Sequence, residues 1–507
     1  MTGNRFALLA SIALSVSACS DESFTIVTVD ARPAVVGATN LRVSLSNSGS
    51  MRSDDLELAS DAVFPVTFSI STPGRSGDLG ITVEGIDRDG LTIGRGTTDA
   101  KVADPTAEVL LDTTDFVVND DFEGDQEPDD DYEAHGFQIA SATDSTWMVS
   151  YVDRNGGGYR IAGRKFDNLG QAVETRASAS DRSFTLNTSP TDGTATPASA
   201  TAGTSSIAVW DFAEPVPSTA TGIACRSIDG TGMLSTVQAM PNLDQGTDVV
   251  AAAPLSNQNF AVAWGSYSTT ATIRAAVLKP DCSVLTGSTI TLSTGPSSDF
   301  PRRPSVAANN GKVMYAWWLD GNVHVRVTDN SNAMASTDTQ FLPRTATQEI
   351  DAVRVTPLLD GFAVFVRWGV GTASGDKPRI DMYRTGPTGA VMGQAVTVTM
   401  KTTTMEFDNP QAFGVAERSD GVLFVTWHAC GDDGDGQGCA VYGRALDSAG
   451  APLTDEMLIP TTTIGDQTGP SVAALGTDAF VVVWRDTSGQ QPDTSMAAAR
   501  ARIVYVP

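Results

Sequence analysis

Short apolar runs that end in an aromatic residue recur along most of this chain, each followed by a polar loop. They are TWMVSY to Tyr151, SSIAVW to Trp210, NFAVAW to Trp264, VMYAWW to Trp318, FAVFVRW to Trp368, VLFVTW to Trp427 and FVVVW to Trp484. β-Branched and aromatic residues dominate them, and five to seven residues is strand length rather than helix length. Each run has the same company. A short strand precedes it, as in PSVAA at 304–308 and again at 470–474. A third strand follows the loop, in RIAGRKFDNLG, TGIACRSIDGTG, RIDMYRTGPTG and AVYGRALDSAG, and closes in a turn sequence. A fourth comes after that turn: SFTLNT, TITLST, AVTVTM and MLIPTT.

Four strands in every 50 to 60 residues, seven times over, predict an all-β chain whose larger part is a seven-bladed β-propeller. A string of sandwiches would need about 90 to 100 residues per unit. The last repeat holds only three strands: PSVAAL, FVVVW and ARARIVYVP. Ahead of the first repeat stands TTDFVVND at 113–120, which reads like a fourth strand. GDQ follows it at 124–126, as GDQ at 465–467 follows MLIPTT. Residues 114–118 are therefore expected to complete the seventh blade, which removes the open edges of the ring. On this reading the propeller occupies 113–507 and includes an acidic connector at 119–134.

The segment before it has another texture. FTIVTVDA, LRVSLSN, FPVTFSIS, LGITVEGID, LTIGRG and AEVLLD are strand-like, and DRDG at 87–90 is a hairpin turn signal. Such strands in about 90 residues predict an immunoglobulin-like β-sandwich within 19–112.

The chain opens MTGNRFALLASIALSVSACSDESF. Arg5 gives a positive start, and Phe6 to Val16 is an apolar run too short to span a bilayer. The VSAC that follows resembles the lipobox of bacterial lipoproteins. That resemblance implies loss of residues 1–18 and a lipid on Cys19, hence a membrane anchor. Ser20 in place of Asp favours the outer membrane, although Asp21 comes next. Lipobox and repeat together are similar to a bacterial, myxobacteria-like outer-membrane lipoprotein with an Ig-like domain and a seven-bladed propeller. The repeat points to a fold and not to a ligand.

Composition narrows the partners. Thirty-three Lys and Arg against 60 Asp and Glu give a net charge of −27, which repels phosphate backbones and argues against nucleic acid. The three histidines, His135, His324 and His428, lie far apart, so zinc sites and Ser/His/Asp triads find no support. Four cysteines besides Cys19 suit disulfides in an exported protein. Cys430 and Cys439 bracket the flexible loop CGDDGDGQGC and are expected to pair. Cys225 and Cys282 sit at different places in their repeats, so theirs is the less expected bridge.

Chemistry has few candidates. NDDFEGDQEPDDDYE at 119–133 holds nine acids and is read as a solvated connector before a calcium segment. In DDGDGQG at 432–438, Asp433, Asp435, Gln437 and Gly438 match positions 1, 3, 5 and 6 of a calcium loop, but position 12 is Arg444 rather than Glu. An exposed, disulfide-pinned loop is the plainer reading. The repeat tryptophans are expected to fill the spaces between blades. Trp317, beside Trp318, is the expected exception, joining His428 and Asp432 on a ligand face. The loops between second and third strands gather at one end of a propeller and here are long and polar. The expected function is a lipid-anchored, monomeric, non-enzymatic binding or scaffold protein of the cell envelope, taking a glycan, peptide or protein on that loop face. The alternative is a polysaccharide hydrolase or lyase with paired carboxylates.

Overall fold

The computed structural model describes residues 24–507 except 61, 103, 120–123, 128–137, 142–145, 155–158, 174–182, 188–196, 214–220, 230–232, 241–246, 268–269, 297–301, 320, 333–338, 343–349, 370–377, 400–412 and 432–433. Cys19, His135, Asp432, Asp433 and most of the acidic connector lie outside those residues. The described elements are all β, and none is a helix long and apolar enough to cross a membrane. The chain divides into two compact units between Phe116 and Val117.

The first unit holds β1 (Phe24–Ala31), β2 (Asn40–Asn47), β3 (Ser50–Glu57), β4 (Val66–Ser71), β5 (Asp78–Ile86), β6 (Thr92–Lys101) and β7 (Thr106–Thr113). Their hydrogen-bonded order is β3-β2-β5-β6-β7-β1-β4. β7 joins the two stretches of this path. It runs parallel to β1 along Thr106–Leu111 and meets β6 only at Asp112 and Thr113. Alternate residues of both stretches bury in one core, with Val27, Val29, Leu41, Val43, Ile81, Val83, Val109 and Leu111 all almost solvent-free. Period-two burial of this kind is what alternating sequences such as LRVSLSN dictate.

The second unit is a seven-bladed β-propeller. Blade 1 runs from Gln138–Ser141 to Phe184–Thr185, blade 2 from Ala198–Ala202 to Gln238–Met240, and blade 3 from Thr247–Pro254 to Ile290–Pro296. Blade 4 runs from Arg302–Asn309 to Thr339–Leu342, blade 5 from Ile350–Leu358 to Val391–Thr397, and blade 6 from Phe413–Glu417 to Met457–Leu458. Blade 7 takes Gln467–Leu475, Ala479–Asp486 and Ala498–Tyr505 from the end of the chain, and its fourth strand is β8, Phe116–Val117. The first strands of successive blades touch, and that of blade 7 touches that of blade 1, so the ring is closed.

The closing segment reproduces a repeat feature closely. In blade 1 the sequence FTLN at 184–187 places Leu186 N 2.8 Å from Ile161 O and Asn187 Oδ1 2.9 Å from Ile161 N. FVVN at 116–119 does the same to Ala499: Val118 N donates to its oxygen at 2.7 Å, and Asn119 Oδ1 accepts from its nitrogen at 3.0 Å.

An arginine on the third strand fastens each of five blades to the one before. Arg226 Nη1 donates to Thr185 O at 2.8 Å, Arg326 Nη1 to Thr291 O at 2.8 Å, Arg444 Nη1 to Val398 O at 2.8 Å and Arg502 Nη1 to Ile459 O at 2.8 Å. Arg164 makes the same reach from blade 1 to Val118 O, across the closure. Each acceptor lies in or just past the fourth strand of the preceding blade. Hydrogen bonds from a charged donor contribute about 1.5–3 kcal/mol each. In the sequence their only signal is a recurring GR, CR, VR or AR dipeptide in the third strand.

The clamps also fix the repeat register. Each clamp arginine faces the residue two before its blade's repeat aromatic: Val149, Ala208, Tyr315, Val425 and Val482. In blade 4 the repeat tryptophan is therefore Trp317 and not Trp318. Trp317 is solvent-free in the core shared with blade 3, as Trp264, Trp427 and Trp484 are in the cores shared with their preceding blades. The expectation that Trp317 reaches a ligand face is corrected accordingly. The two neighbours do point opposite ways: Trp318 packs, half-buried, on the side of blade 5.

Candidate functional site

Second strands end, and third strands begin, at the loop end of the propeller, and its wall carries buried acids. Asp153, Asp211, Asp381 and Asp486 are each nearly solvent-free there. A carboxylate without water needs partners, and arginine is one for Asp153, Asp381 and Asp486. Arg160 Nε lies 2.9 Å from Asp153, Arg379 Nε 2.9 Å from Asp381 and Arg500 Nε 2.8 Å from Asp486.

The two GDQ copies explain part of this wall. Gln467 stands in register with Asp486 and donates to it at 3.2 Å, and Gln126 stands in register with Asp153 and donates at 3.4 Å. Both glutamines are solvent-free. Their backbone nitrogens reach the residue just before the third strand of the preceding blade, Gln467 to Cys439 O at 2.8 Å and Gln126 to Ala497 O at 3.1 Å. Asn119 joins Gln126 to Asp493, donating to them at 3.2 and 2.7 Å. The motif is thus a staple between blades, and at the closure it is a buried polar network.

The calcium-like loop has a similar outcome in its described part. Gln437 N donates to Asp435 Oδ1 at 2.8 Å, so the two are parts of one turn. Among the described residues no three His, Cys, Asp or Glu side chains group to hold a metal. The loop is closed by the expected Cys430–Cys439 disulfide. Cys225 and Cys282 are also bonded, 57 residues apart. Their unlike repeat positions are what allows it: the third strand of blade 2 faces the turn after the third strand of blade 3. His428, expected at the ligand face, is buried at the end of its strand beside Trp427. His324 stacks on Trp317 at 5.8 Å.

At the opposite end of the ring, Glu417 closes the first strand of blade 6. Burial, with Asp420 nearby, pushes its carboxyl up to about 7, and its Oε1 has no hydrogen-bond partner. Asp420 is held below the usual range by its hydrogen bond to Arg418. A raised carboxyl favours the folded state while protonated, so its contribution is present below pH about 4.5 and lost as pH rises through about 7. Glu417→Gln is expected to match the parent in melting temperature near pH 4 and to exceed it above pH 7.5. Parallel curves in thermal scans across that range would rule this out.

No protein-family model matches the chain, and no curated protein does. Among solved structures, a protein of unknown function from Dyadobacter fermentans is 8% identical, over 78% of this chain and 98% of its own, with a TM-score of 0.44. An α-L-arabinanase of Penicillium chrysogenum is 10% identical over 76% and 98%, at 0.42. An α-L-arabinofuranosidase of Fusarium graminearum is 8% identical over 77% and 98%, at 0.40. Likenesses this slight say nothing of what this chain binds or cleaves.

Proposed function

We propose that the chain is a lipid-anchored, non-enzymatic binding or scaffold protein of the bacterial outer membrane, presenting the loop end of its propeller to a glycan, peptide or protein. The observation supporting binding over catalysis is the fate of the buried acids at that end. Asp153, Asp381 and Asp486 are neutralised by arginines, and glycoside hydrolysis needs one carboxyl free to give a proton and a second facing it. The anchor rests on VSAC and Cys19. Cys19→Ser is expected to move the protein from the membrane fraction to the soluble fraction, and a variant that stays with the membrane removes the anchor.

A second reading is a polysaccharide hydrolase. In its favour, Glu417 and Asp420 titrate in opposite directions, as an acid and its partner do. Against it, they share one turn at the end away from the long loops, and Asp420 is spent on Arg418, 2.9 Å away. Incubation of the purified protein with arabinan and other envelope or plant polysaccharides separates the two. Retention on a glycan without new reducing ends fits the binding reading. Reducing ends that vanish in Glu417→Gln replace it with hydrolysis.

A further inference from the structure

The propeller departs from its own repeat twice at one interface. The residue facing the third position before each repeat aromatic is alanine in six blades: Ala140, Ala200, Ala253, Ala307, Ala416 and Ala473. In blade 5 it is Arg354, facing Phe365. The residue just before the aromatic is Ser150, Val209, Ala263, Ala316, Thr426 or Val483 elsewhere, and Arg367 in blade 5.

Both arginines lie on the side of blade 5 that meets blade 6. Their register neighbours Phe365 and Ala352 belong to the core formed with Phe413, Val425 and Trp427. The Arg354 guanidinium sits over the Phe413 ring at 5.4 Å, and its Nη1 donates to Val353 O at 2.9 Å. Arg367 is 6% exposed and makes no hydrogen bond or ion pair with a described residue. The charged group nearest in effect is Asp351, at the strand bulge beside it. Burial lowers both guanidinium pKa values to about 10, so both stay cationic at neutral pH. Arg367 is buried and Arg354 half-buried in this apolar seam, where a cation loses hydration that a bound anion would replace. Most of their N–H donors are unspent, in the planar fork that matches a carboxylate, sulfate or phosphate.

We propose that Arg354 and Arg367, between blades 5 and 6, form a binding site for a compact oxyanion: the carboxylate, sulfate or phosphate group of a ligand. The site is independent of what the loop end binds and of the membrane anchor. A −27 chain repels anions at long range, so a local pair of cations selects for a fork-shaped partner rather than for negative charge in general.

The test is thermal unfolding of the purified full chain in sodium sulfate, inorganic phosphate and sodium galacturonate, each against sodium chloride at matched ionic strength. The expected result is a saturable rise in melting temperature with at least one of the three, whose identity names the preferred group. Arg354→Met and Arg367→Met are expected to fold as well as the parent without anion and to bind it at least tenfold more weakly. Arg354→Lys and Arg367→Lys, which keep the charge but lose the fork, are expected to lose affinity too. The proposal is overturned if no oxyanion gives a saturable rise, or if the methionine or lysine variants respond as the parent does.

Discussion

Val118→Pro is expected to lower the stability of the propeller by about 3 kcal/mol, far more than a change in a surface loop. Proline removes the N–H that Val118 gives to Ala499 O. It leaves that carbonyl unpaired in a buried seam and disturbs the oxygen that receives Arg164. Arg164→Met, which removes both this hydrogen bond and the guanidinium 5.1 Å over the Phe166 ring, is expected to cost about 1.5–3 kcal/mol. The two share one contact, so the double variant should lose less than their sum. Urea unfolding followed by tryptophan fluorescence measures both. A midpoint unchanged by Val118→Pro would mean that residues 116–119 do not close blade 7.

The second large effect belongs to the disulfides. On the chain-entropy account a bridge spanning 57 residues stabilises by about 4 kcal/mol. One spanning nine stabilises by about 2.5 kcal/mol. The pair Cys225→Ala and Cys282→Ala is therefore expected to lower the melting temperature more than Cys430→Ala with Cys439→Ala. The first bridge joins two blades, while the second only closes a loop on itself. Differential scanning calorimetry of the two double variants gives the order, and the reverse order would count against inter-blade pinning.

Much of the propeller was legible because its signals are periodic. Runs such as FVVVW and PSVAA carry strand type, and their spacing carries blade number. The closing strand could be read from arithmetic alone, since a repeat with three strands needs a fourth. What escaped depended on neighbours across a gap rather than along the chain. The adjacent Trp317 and Trp318 satisfy the same spacing within one residue, and only the arginine facing Tyr315 separates them. Cys225 and Cys282 hold different places within the repeat, and their bridge runs between two repeats. The buried acids gave no sequence signal distinct from the many surface acids, because burial is decided by packing. Arg354 and Arg367 were in plain view as breaks in an alanine and small-residue register, but that register appears only once the strands are paired.

The closure also sets an order in time. Asn119 and Ala499 are 380 residues apart and hydrogen-bonded, so the first propeller strand to be synthesised waits for nearly the last. Contacts of such separation form slowly, because the loop entropy falls due before any pairing returns it. Until then the six other blades stand as an open arc with blade 7 unfinished. A chain cut short anywhere before Ala498 leaves that arc permanently ajar and its strand edges bare to proteolysis. The distant latch thus works as a length check: the ring resists degradation only once its last-made strand, Ala498–Tyr505, is in place.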